Sequence, residues 1–196
     1  MSQPMILEPP SDAELMALVR EGDREAFAEV VDRHKDAVVG YLARLTADRD
    51  RAEDYAQETF LRLFRAAGDY VEQGYLRAFL FRIATNLVRS EERRAQRLRL
   101  LMPFLPRERH AEPAAASGLL RSELHRAVTA ALAALALRYR VPLVLHEIEG
   151  WSYVEIAQEL GCREGTVKSR VHRGRQQLKK RLEPYWNGDA SWKTTG

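Results

Sequence analysis

Apolar residues along this chain recur at the three- and four-residue spacing of helices, with no stretch that alternates like a strand and no internal repeat. The clearest unit runs from Trp151 to Leu182. Ser152 and Glu155 form a capping box, in which the hydroxyl accepts a first-turn amide and the carboxylate reaches back. Val154, Ile156, Ala157 and Leu160 supply the apolar side of a helix of roughly two turns, which Gly161 ends. After a turn at Gly161, Cys162 and Arg163, a second helix begins near Glu164, with Val167, Val171, Gly174 and Leu178 as its inward stripe. Two helices joined by a short glycine-containing turn predict a helix-turn-helix.

The N-terminal half is also helical in pattern. Ser11 and Glu14 form another capping box and open a short helix with Leu15, Leu18 and Val19 inward, stopped at Gly22. Asp23 caps the next, whose inner face is Phe27, Val30, Val31, His34, Val38, Tyr41, Leu42 and Leu45; His34 is expected to be buried and hydrogen-bonded. Asp48 or Asp50 opens a third helix to about Ala67. A turn with Gly68 and Gly74 leads to a fourth from Leu76 to about Arg97, with Leu76, Leu80, Ile83, Ala84 and Leu87 inward. Pro103, Pro106, Pro113, Gly118 and an Ala-Ser run then mark a linker. Leu124, Val128, Leu132 and Leu135 stripe an Ala-rich helix from near Ser122, and Pro142 suits the first turn of the next, which carries Leu143, Val144 and His146 and ends at Gly150. The expected fold is all-α: two small helical domains, 23–97 and 122–184, joined by a flexible linker at 98–121. An N-terminal segment with a short helix (1–22, Pro-rich and disordered to residue 10) precedes them, and a polar tail (185–196) with two Trp follows.

Charge changes the picture by its distribution. The 196 residues are 45% hydrophobic and carry a net +3, which by itself says little. Yet Asp48–Glu58 is acidic, whereas Arg89–Arg109 and Arg163–Arg181 are basic, as expected of a protein with two different partners. The helix from Glu164 holds Gly165, Ser169, His172, Arg173 and Gln176 on its outer face, with Lys168 beside them. Cations there bind phosphates, and Ser, His, Gln and Arg tips can address base edges; a basic face that is merely solvated is the other reading, and the capped helix in front disfavours it. Asp54, Gln57, Glu58 and Leu61 form an acidic ridge with an apolar end, suited to a basic protein surface, although a solvated face over a core of Phe60, Leu63 and Phe64 has the same pattern. Phe79, Arg82, Asn86, Arg89 and Arg93 trace a stripe suited to stacking on bases and following phosphates. One cysteine, Cys162, excludes an internal disulfide, fits a reducing cytoplasm and reads as a small apolar residue. His34, His110, His125, His146 and His172 form no ligand set. No metal or cofactor is expected, nor a signal peptide or membrane span, and no phosphate loop or nucleophile–base motif points to an enzyme.

Three stretches carry a resemblance. EGWSYVEIAQELGCREGTVKSRVHRGRQQLKKRL, with GTVKSRVHRGR at its centre, is similar to the C-terminal DNA-binding domain of extracytoplasmic-function sigma factors, the small alternative sigma subunits of bacterial RNA polymerase. Response regulators share the G-T-V-K run, so this half alone does not decide. DRAEDYAQETFLRLFRAA (50–67) and YLRAFLFRIATNLVRSEERRAQR (75–97) resemble the family's N-terminal domain, in the family's order. The resemblance implies docking on the clamp helices of the polymerase largest subunit through Asp54, Gln57, Glu58, Phe60, Leu61 and Phe64. It implies recognition and melting of a −10 element, read as single-stranded DNA, by Tyr70, Tyr75, Phe79, Arg82, Asn86, Arg89 and Arg93. Asn86 is the candidate for a base edge, and the loop with Asp69, Tyr70, Gln73 and Tyr75 for holding a flipped base. Lys168, Ser169, His172 and Arg173 would read a duplex −35 element, with Arg163, Thr166, Arg170 and Arg175 on phosphates. Many relatives have Trp where this chain has Phe79, and Leu-Pro where it has Leu135, Ala136 and Leu137. Met102, Phe104 and Leu105 would dock on core polymerase or on the chain's own domains. The implied protein is a cytoplasmic promoter-specificity subunit, monomeric when free, with an anti-sigma factor as a possible partner. A stand-alone helix-turn-helix regulator would leave the first domain unexplained, and a sigma-mimicking decoy would lack its usual receiver domain.

Overall fold

The computed structural model describes residues 9–70, 75–101 and 119–185. Among them the chain forms eight α-helices and one short 3-10 turn, without strands: α1 (Asp12–Arg20), α2 (Arg24–Thr46), α3 (Arg49–Ala66), α4 (Leu76–Leu101), α5 (Leu119–Ala133), α6 (Leu137–Glu147), α7 (Tyr153–Leu160), α8 (Glu164–Leu182) and the turn Glu183–Tyr185. The expectations for Gln73, Gly74, Met102, Phe104, Leu105, the linker prolines and Trp186 lie outside the described residues.

Local chemistry starts and stops these helices. Ser11 and Ser152 make the complete capping boxes on α1 and α7, Asp23 accepts from Glu25 and Ala26 amides at the start of α2, and Asp48 caps α3. α7 ends on Gly161, whose φ of 60° is the left-handed conformation that a residue without Cβ adopts at least cost. α2 ends on Ala47 in that same region, at φ 56°. The Thr46 hydroxyl ties down that turn by donating to the Leu42 carbonyl at 2.9 Å.

α2 is the central post of the first unit, packed by α1, α3 and α4, while α8 packs on α6, α7 and α5 in the second. The buried side chains include Met16, Val30, Tyr41, Leu42, Leu63 and Leu80 in the first unit, and Leu135, Leu145, Ile156, Val167 and Val171 in the second. Each fully buried Leu, Ile or Val of this kind contributes about 2 kcal/mol of apolar transfer. His34 is buried, and its Nε2 lies 3.0 Å from Asp12 of α1, the core role expected of it.

Several inward expectations move. Leu18 is exposed and Met16 takes its place, because α1 meets α2 along the Leu15, Met16 and Val19 side. Val154 is exposed: it lies about 160° around α7 from Ile156 at 100° per residue. Leu124 is exposed, whereas Ala127, Ala131 and Leu132 further along α5 are buried. α4 runs to Leu101 rather than Arg97 and buries a second stripe of Phe81, Thr85 and Val88, with Tyr41 and Thr85 hydroxyls 2.7 Å apart. α6 begins at Leu137, which puts Pro142 inside the helix rather than in its first turn. An interior proline costs about 3 kcal/mol; burial of Leu137, Val141, Leu143, Val144 and Leu145 around it offsets that cost.

Candidate nucleic-acid interface

α8 stands on α6 through a close contact at Gly174. A Cβ there would meet the Tyr139 carbonyl at 3.3 Å and Leu143 at 3.4 Å, so the smallest residue sets the distance between the helices. With Val167 and Val171 also buried, the opposite face is turned outward. Lys168, Ser169, His172, Arg173, Arg175 and Gln176 are exposed, and Thr166 and Arg170 are half-buried. Several tips are held in place. Lys168 pairs with Glu164 at 2.7 Å and lies over the Tyr153 ring, which raises its pKa through the Glu164 hydrogen bond. His172 and Gln176 are 2.9 Å apart, the Ser169 hydroxyl donates to Thr166, and Arg175 donates to Glu147 at 2.6 Å. Arg163 sits at the N-cap of α8, with Glu164 against the positive end of the helix dipole. Periodicity did not single out Tyr139: its hydroxyl is hydrogen-bonded by Arg138 and Arg173, which holds it below the ordinary phenol range and gives Arg173 a fixed neighbour.

α3 presents a second surface. Asp54 and Gln57 are exposed, and Leu61 and Phe64 keep 48% and 42% of their area in solvent, an unusual fraction for two large apolar side chains so close together. Glu58 accepts from Arg62 at 2.7 Å, and that hydrogen bond lowers its carboxyl pKa. Phe64 is braced edge-on by Phe27, with ring centroids 4.9 Å apart. Phe60 differs from the others: it is buried and supports the ridge from below.

The stripe on α4 divides. Tyr75, Asn86 and Arg93 are exposed, and Arg89 is half-buried. Phe79 is half-buried and packs on Tyr70 with ring centroids at 4.7 Å; Tyr70 itself is buried, and its carbonyl accepts from Arg20 at 2.6 Å. Those two rings therefore occupy each other here. The exposed guanidinium of Arg82 donates to Glu159 of α7 at 2.8 Å. Glu159 and Glu149, which no sequence pattern marked, approach α4 from more than 70 residues away, a distance that local periodicity does not register.

Among the described residues no group of His, Cys, Asp and Glu is arranged to hold a metal ion, and no helix is long and apolar enough to cross a membrane.

Comparison with known proteins separates the possibilities that the sequence left. Residues 30–98 match the family described as Sigma-70 region 2, and residues 122–178 match Sigma-70, region 4. The chain is 39% identical to the ECF RNA polymerase sigma factor SigE of Mycolicibacterium smegmatis, over 88% of this chain and 67% of that one. It is 32% identical to the ECF RNA polymerase sigma factor SigW of Bacillus subtilis, over 84% and 92%. Its fold matches the sigma factor RpoE of Bartonella quintana, solved in complex with the anti-sigma factor NepR, with a TM-score of 0.69, 26% identity, and 80% and 96% coverage. With a region 2 match carrying the α3 ridge and the α4 stripe, followed by a region 4 match carrying the α8 face, the chain belongs to the extracytoplasmic-function sigma factors of the sigma-70 family, non-enzymatic proteins that partner RNA polymerase and promoter DNA to direct transcription initiation.

Proposed function

We propose that the three surfaces divide the work of initiation. Asp54, Gln57, Glu58, Leu61 and Phe64, with Phe60 as their support, dock α3 on the clamp helices of the polymerase largest subunit. Lys168, Ser169, His172 and Arg173 read a duplex −35 element, and Arg163, Thr166, Arg170 and Arg175 hold its phosphates. Tyr75, Phe79, Arg82, Asn86, Arg89 and Arg93, with Tyr70 behind Phe79, take the unpaired −10 strand. Melting then requires no chemistry, since binding energy for the open strand shifts the duplex equilibrium. The protein works in the cytoplasm, where bacterial polymerase and promoters are, as a monomer when free. An anti-sigma factor of the general kind bound by the relative RpoE is a fitting partner.

The observation that carries this reading is the α3 ridge: carboxylates beside two half-exposed apolar side chains, on a helix whose other side is core. Charge steers such an encounter, and the apolar end supplies desolvated contact. The test is capture of core RNA polymerase by the whole chain and by a variant carrying Asp54→Ala and Glu58→Ala. Wild type is expected to retain core and the variant to lose it. If neither retains core while both bind duplex DNA, the ridge is only a surface, and a stand-alone DNA-binding regulator is the better description.

A further inference from the structure

The outer face of α8 has a neighbour from another helix. Tyr139 lies in the first turn of α6, and its backbone is wedged beneath α8: its carbonyl oxygen is the atom that a Cβ at Gly174 would meet at 3.3 Å. The residue before Gly174 is Arg173, so this close approach brings the half-buried Tyr139 ring up beside an exposed guanidinium of the reading face. The phenol oxygen accepts from Arg173, and also from Arg138, whose guanidinium carbon stands 4.8 Å from the centroid of the Tyr139 ring. Two cations from two helices thus converge on one neutral oxygen. Lys168 and Arg175 of α8 have carboxylate partners in Glu164 and Glu147, whereas among the described residues no ion pair joins Arg138 or Arg173 to a carboxylate.

We propose that Tyr139 is a specificity-determining positioning residue: from α6 its hydroxyl holds the Arg173 guanidinium in the attitude that reads a base pair, while Arg138, stacked on the same ring, takes a phosphate of the same duplex. This inference rests on the assignment of Arg173 to a base edge of the −35 element.

A free arginine side chain samples many rotamers, and discrimination between base pairs requires its planar fork to meet a base edge in one orientation. A guanidinium has five N–H donors, so one given to the phenol leaves the others for the base. The anchor is stiff, because Tyr139 is fixed through its backbone where α6 and α8 are closest. The hydroxyl therefore acts on selectivity through Arg173 without touching DNA. Arg138 differs in kind: it is exposed, its charge is not offset by a carboxylate among the described residues, and a cation on a phosphate carries affinity without sequence information.

The test uses the full chain bound to core RNA polymerase, with a duplex DNA library randomised over about ten base pairs, one helical turn. The preferred duplex and its single-base-pair variants are then titrated against wild type, Tyr139→Phe, Arg138→Ala, Arg173→Ala and the Tyr139→Phe, Arg173→Ala pair. Tyr139→Phe keeps the ring and the helix contact and removes one oxygen. It is expected to lose about tenfold in discrimination at one base pair, with preferences elsewhere and the salt dependence unchanged. The pair is expected to show the preferences of Arg173→Ala alone, since both substitutions act on one contact. Arg138→Ala is expected to weaken every duplex alike and to flatten the slope of log affinity against log salt by about 0.9. If Arg173→Ala removes a preference and Tyr139→Phe does not, or weakens all duplexes evenly, the positioning role is overturned and the Arg173 assignment stands. If Arg173→Ala itself weakens all duplexes evenly, that assignment and the positioning role fall together. An unchanged salt slope in Arg138→Ala overturns the phosphate contact.

Discussion

Arg140 is a side chain on which the second unit depends more than its place in the sequence indicates. Its guanidinium donates to three carbonyls: Ala133 and Leu135 at the end of α5, and Leu45 at the end of α2. Helix C-termini leave carbonyls without intrahelical partners, and a planar five-donor cation satisfies several at once. Arg140→Ala is expected to lower unfolding stability by about 3 kcal/mol, since buried acceptors would lose a charged donor. Urea denaturation measures this, and a loss below about 1 kcal/mol would mean that water replaces the guanidinium. On the recognition face the consequences are for binding. Lys168→Ala or Arg173→Ala is expected to cost about 1–3 kcal/mol on the cognate −35 sequence and to relax specificity at the base read. An equal loss on every duplex would assign those two residues to phosphates instead.

At the level of elements, short helices are held by their ends and long ones by their faces. α7 is eight residues long, too short to persist by propensity, and the Ser152–Glu155 box supplies its first-turn partners. That box also lowers the Glu155 carboxyl pKa through the Ser152 hydroxyl and amide. Ser152→Ala is expected to cost about 1 kcal/mol of stability, measured by thermal unfolding. α6 shows the opposite balance: it tolerates Pro142 in its interior because its apolar side chains are buried where it packs on α8 and α2. The capping boxes, the Gly161 stop and the inner stripe of α8 were therefore legible from spacing alone, since each depends on residues within a few positions of one another. The start of α6 and the outward turn of Leu18, Val154 and Leu124 were not, because they depend on which neighbour each helix meets.

For the whole molecule, the two units share a boundary whose charge responds to pH. Glu159 faces Arg82, Arg89 and the Tyr41 hydroxyl, and burial raises the Tyr41 phenol well above its ordinary value. Burial likewise raises the Glu159 carboxyl above the ordinary value of 4.5. The folded chain thus binds this proton more tightly than an unfolded chain with an ordinary carboxyl. Its contribution to stability is fully present below 4.5 and is lost as pH rises through the raised value. Unfolding stability, measured by urea denaturation, is expected to fall across that interval, and Glu159→Gln to flatten the profile. A profile unchanged by Glu159→Gln would move the titration to another group.

What the sequence determined by itself was the class of fold, the limits of most helices and the chemistry of three faces. Helix periodicity, capping residues and charge runs are local, and a one-dimensional string records them directly. The tertiary structure decided which of those faces are free. Phe60 and Tyr70 turned from candidate contacts into buried supports, Phe79 was taken by Tyr70, and Arg82 was taken by Glu159. Each of these outcomes depends on the environment a folded neighbour creates: the boundary stack of Tyr41, Phe81 and Trp151 joins residues 40 and 70 positions apart, and burial is a property of surfaces brought together by folding rather than of spacing along the chain.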